Sequence, residues 1–156
     1  MSVVETQGYV NPELIKRGFE PQVLDEKHIR ELDEQGYTIF ENVIDPEWLE
    51  KLRSRFDEIH ETEGEDAGKE VNQVEGVRRL ADLVNKDENF DRVYMQPFLL
   101  TAVNHVLKRP FKLHSLNGHD PQKGFGLQTL HTDTGEPTVP GGPYHTVNSM
   151  WMLDDF

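Results

Sequence analysis

Leu130-His131-Thr132-Asp133 closes a run from Gly126 to His131 that reads as a β-strand. Side chains at positions i and i+2 of a strand point to the same face. His131 and Asp133 can therefore present an imidazole nitrogen and a carboxylate oxygen to one metal ion, while Thr132 faces the other way. The spacing alone is met often by chance, and a pair of surface residues satisfies it equally well. Its weight depends on what surrounds it.

Upstream of the motif the chain changes character at Pro110. Before it, the signals are helical. Asp25 is a suitable N-cap for a helix over Glu26 to Gln35, and Gly36 can end it in a left-handed conformation. Asp45-Pro46 repeats the signature, an N-cap followed by proline at the first helical position. Trp48, Leu49, Leu52, Phe56 and Ile59 then recur at helical spacing. Pro97 opens a third helix carrying Phe98, Leu99, Ala102, Val103, Val106 and Leu107, which Pro110 stops. Between the first two helices, Tyr37 to Val43 reads as a strand; Val77 to Val84 fits either a helix or a buried strand. After Pro110, Phe111 to Leu116 reads as a strand, Asn117-Gly118 as a turn, and Thr146 to Leu153 as a further strand. Residues 1–24 carry no clear period and are expected to form an irregular arm. Helices first and strands later indicate an α+β domain whose core is a β-sandwich or barrel.

Composition narrows the chemistry. The 156 residues are 35% apolar and 29% charged, an ordinary balance for one globular domain. With no cysteine, disulfides, thiolate metal sites and cysteine nucleophiles are excluded together, so a metal must be held by His, Asp, Glu or water. The formal charge of −13, from 29 acids against 16 bases, argues against a nucleic-acid partner. Acids crowd between Asp57 and Glu70, a stretch that reads as a solvated loop. No apolar run is long enough to span a membrane, and the N-terminus lacks the basic and apolar regions of a signal peptide, so the default location is cytoplasmic. Gly124-Phe125-Gly126 lacks the third glycine and the helix of a dinucleotide fingerprint, and no Gly-x-Ser-x-Gly elbow is present.

Three segments carry a resemblance. Glu31-Leu32-Asp33-Glu34-Gln35-Gly36-Tyr37-Thr38-Ile39-Phe40-Glu41-Asn42-Val43-Ile44 pairs a helix end with a Gly-Tyr strand. Leu130-His131-Thr132-Asp133 follows in order, and then Val147-Asn148-Ser149-Met150-Trp151-Met152-Leu153-Asp154-Asp155. Together they resemble the phytanoyl-CoA dioxygenase family of Fe(II)- and 2-oxoglutarate-dependent oxygenases, over about residues 25 to 156. The resemblance implies N-terminal helices packed on a double-stranded β-helix (jelly-roll, cupin-like) core. It implies Fe(II) on His131 and Asp133, with 2-oxoglutarate as co-substrate, O2 as oxidant and a small organic substrate. Two histidines and one carboxylate on one face of an octahedron leave three positions open for such partners. Asn117, Gln128 and Trp151 match positions that touch the co-substrate in some family members.

The same resemblance places a third histidine ligand, and an arginine for the distal carboxylate of 2-oxoglutarate, beyond Phe156. Residues 25–156 are accordingly expected to be the N-terminal portion of a single dioxygenase domain, inactive as a fragment. His145 comes too early to be the third ligand. A non-catalytic jelly-roll binding domain that retains a partial metal site is the alternative, and a metal hydrolase using His and Asp ligands is a further one. Of the other motifs, His28, His60 and His105 fall on expected helices and read as structural. His119-Asp120 reads as exposed, and Arg78-Arg79 as a surface pair that could meet an anionic substrate.

Overall fold

Aspartate and proline set the helix starts in the computed structural model, which describes residues 11–131, 133, 139 and 141–154. Helix α2 (Glu26–Glu34) begins where the Asp25 carboxylate accepts from the His28 N–H at 2.8 Å, and α3 (Pro46–Glu63) where Asp45 accepts from the Trp48 N–H at 2.8 Å. Gly36, at φ +80°, follows α2 as expected. Helix α6 (Pro97–Leu107) ends at Lys108, which takes the left-handed conformation at φ 51° just before Pro110. Two short helices, α4 (Leu83–Lys86) and α5 (Asp91–Tyr94), lie between. The expected irregular arm is corrected in part: Asn11 caps, and Pro12 opens, a five-residue helix α1 (Pro12–Lys16).

The chain forms two compact units. The first comprises Met1–Glu41, Tyr94–Lys112 and His131–Met150. Here the buried Asn104 of α6 accepts from the Asn11 N–H at 2.9 Å, which docks α1. His28, Phe40 and Phe98 form an aromatic row, with ring centroids 4.3 and 4.8 Å apart. His105 of α6 meets Asp33 of α2 at 2.8 Å. The segment 37–40 keeps the expected alternation, Thr38 and Phe40 turned inward and Tyr37 and Ile39 exposed, but it pairs with no strand among the described residues.

The second unit comprises Asn42–Val93, Leu113–Leu130 and Trp151–Phe156. It holds the one sheet among the described residues, β1 (Val77–Leu80) antiparallel to β2 (Gly118–Pro121), with Leu80 opposite Gly118 and Val77 opposite Pro121. Of the two readings of Val77 to Val84, the strand holds for the first half and a helix for the second. Asn117-Gly118, read as a turn, is corrected: Gly118 is the first residue of β2 and stands opposite Leu80. Trp48, Leu52, Phe56 and Ile59 turn one face of α3 into a core shared with Leu80, Leu83, Phe90 and Val93. Trp151 meets Trp48 edge-on at 5.4 Å, and Arg92 lies 4.1 Å over the Trp48 ring. The Arg53 guanidinium donates to the Leu153 carbonyl and, at 2.8 Å, to Asp154, tying that segment to α3.

Three further expected strands are corrected. Among the described residues, 111–116, 126–131 and 146–153 form no ladder. Around Trp151 the strand period survives without pairing: Trp151 and Leu153 pack on the core, while Met150 and Met152 are exposed. The described structure is thus a mixed helix-and-strand fold with a two-stranded sheet.

Asp87 is placed to make the stability of the second unit depend on pH. Foremost the Asn89 backbone N–H, at 2.8 Å, and then the Asn89 amide and the Arg55 guanidinium hold its carboxyl below the usual value, against the opposing effect of burial. A lowered folded-state pKa contributes stability above the unfolded value of about 3.9, and that contribution is lost as pH falls through the folded value. Urea unfolding should therefore show the native protein ahead of Asp87→Asn at about pH 6, with the lead shrinking by about pH 3. A constant lead would exclude the carboxylate as its source.

Candidate metal site

The two residues of the opening motif meet. In the first unit, His131 Nε2 lies 3.4 Å from Asp133 Oδ1, with both side chains about half exposed. The other carboxylate oxygen, Oδ2, accepts a hydrogen bond from the Asn148 side-chain amide. The juxtaposition arises without a strand, since Asp133 sits in a turn; Thr132 lies outside the described residues. Two ligand atoms about 2.1 Å from one ion, at right angles around it, stand about 3 Å apart. The observed separation is close to that, so the pair fits two adjacent positions on one metal. The donors, imidazole and carboxylate, suit a first-row divalent ion.

Among the described residues, no group of three His, Cys, Asp or Glu side chains is gathered for a metal. His145 is engaged elsewhere, its ring Nδ1 and its carbonyl each 3.3 Å from the Arg109 guanidinium.

The residues matched to the co-substrate fall in the second unit. Asn117 serves its own neighbourhood, where its side-chain oxygen accepts from the Asp82 N–H at 3.3 Å and Asp82 takes the left-handed φ of 53° before α4. Gln128 is exposed. Trp151 packs on Trp48 at the core. Arg78, a candidate for an anionic substrate, is held by Asp57 at 2.8 Å and Asp120 at 2.5 Å over the Phe56 ring. Two carboxylates on one guanidinium compensate its charge within the fold.

Asn148 is the site residue that spacing could not reveal. It lies within a segment already singled out for its resemblance, but a side-chain contact across 15 positions leaves no periodic signal.

Residues 32–156 match the family described as Phytanoyl-CoA dioxygenase (PhyH). No curated protein and no solved structure gives a significant match. With most of its length inside that match, the chain belongs to the phytanoyl-CoA dioxygenase family, whose members are oxygenases.

Proposed function

We propose that the protein is an Fe(II)- and 2-oxoglutarate-dependent dioxygenase that hydroxylates a small organic substrate. The observation that carries this reading is the approach of His131 Nε2 to Asp133 Oδ1, 3.4 Å, in a chain of this family. Such a cofactor and co-substrate supply the oxidation of a C–H bond by O2, coupled to decarboxylation of 2-oxoglutarate to succinate. His131 would bind through a neutral imidazole nitrogen, and Asp133 would bring one negative charge, leaving the metal electrophilic enough to hold a chelating dicarboxylate. The third ligand is to be sought outside the described residues, in the jelly-roll setting that the family implies. On the resemblance alone, Asn117, Gln128 and Trp151 are proposed as co-substrate contacts, since an amide or an indole N–H donates to a carboxylate without adding charge. The formal charge of −13 supports a small molecule rather than a nucleic acid as substrate. No described helix is long and apolar enough to cross a membrane.

The test is succinate formation from 2-oxoglutarate by the full-length protein loaded with Fe(II), under air and without oxygen. Production under air alone is expected. Absence under both conditions would favour the alternative, a non-catalytic binding domain with a partial metal site.

A further inference from the structure

The geometry points to Asn148 as the positioning residue for Asp133, holding one oxygen of the carboxylate away so that the other alone ligates the metal. This rests on the iron reading above and deepens it. The two oxygens of a free carboxylate are equivalent, and beside a divalent ion they can bind singly or together. Binding through both takes an additional coordination position. A site that needs three open positions for a chelating co-substrate and oxygen cannot spare one.

In this protein the two oxygens are already distinguished. Oδ1 faces His131 Nε2 at 3.4 Å, whereas Oδ2 is occupied by the Asn148 amide. A hydrogen bond to an ionised acceptor is among the stronger kinds, so it selects one orientation of the carboxyl plane. The donor type also matters. An amide fixes the carboxylate yet leaves its full charge available to the metal, where a lysine or arginine would offset it. Asn148 is itself exposed, so the contact contributes little to burial. Its consequence is orientation, which spacing within His131-Thr132-Asp133 cannot provide by itself.

The experiment uses the full-length protein with Co(II) as probe, reading affinity by equilibrium dialysis and coordination by the visible spectrum. Asn148→Leu should weaken Co(II) binding about 10- to 100-fold, the range for losing a partner that orients a ligand, and alter the spectrum. The thermal midpoint of the metal-free protein should not move, and Asn148→Gln, which keeps the amide donor, should restore most of the affinity. Unchanged binding by Asn148→Leu overturns the proposal. So does a loss accompanied by a lower metal-free midpoint and no rescue by Gln, since that describes a residue that merely holds the loop. Asp133→Ala separates the two levels. If it abolishes binding while Asn148→Leu does not, the iron reading stands and only the role of Asn148 fails. If neither variant changes binding, the metal site fails as well.

Discussion

Asp133→Ala in the full-length protein should lower oxygen-dependent succinate formation by about a thousandfold or more, a loss of at least about 4 kcal/mol in transition-state stabilisation. The expectation follows from what the side chain would do. Asp133 is the anionic donor of the pair, and its Oδ1 lies 3.4 Å from the imidazole that would share the metal. Removing it leaves only neutral imidazole donors, His131 and the proposed third ligand, and Fe(II) held without an anionic donor is readily lost to water or buffer. His131→Ala should act in the same direction. Both residues are half exposed, and Asp133 lies in a turn rather than in a packed element, so neither change should lower thermal stability appreciably. Activity lost with the fold intact is the signature sought. Retained turnover in Asp133→Ala would dismiss the metal assignment, whatever the family suggests.

How the motif was legible explains what was not. His131 and Asp133 could be paired from the sequence because two residues apart is a local relation, and the side chains met even though the backbone formed no strand. Asp25 and Asp45 were legible for the same reason: an N-cap concerns three or four successive residues. The apolar face of α3 followed from a helical period that needs no knowledge of its partner. Alternation is weaker information. It says which side chains turn inward, and around Trp151 it does so correctly, but it does not name the strand that will supply hydrogen bonds. The pairing of Val77 with Pro121, and of Asn148 with Asp133, is non-local, and neither leaves a mark in the intervening residues. The short α1 is a different case, since Asn11-Pro12 carries the same cap-and-proline signature as Asp45-Pro46 and could have been read.

Leu80 and Leu127 make the distinction between local and non-local information measurable. Both are leucines; Leu127 stands in a stretch that reads as a strand, and Leu80 in one that fits a strand or a helix. In the second unit Leu80 is fully buried, 0% exposed, while Leu127 is 97% exposed. Leu80 lies opposite Gly118 in the β1–β2 ladder, and a side chain at Gly118 would run into the Phe56 ring, whose Cε2 is 2.3 Å from where a Cβ would stand. Leu80 thus sits in a core closed by a strand whose own glycine lets Phe56 approach, with little freedom to collapse around a cavity. Leu80→Ala should cost about 2–5 kcal/mol, and Gly118→Val about 1–3 kcal/mol by overpacking the same place from the opposite side. Leu127→Ala should stay within about 0.5 kcal/mol. Urea unfolding monitored by tryptophan fluorescence reads all three, because Trp48 and Trp151 belong to the same unit. Equal losses at Leu80 and Leu127 would mean that the β1–β2 pairing is not what organises this core.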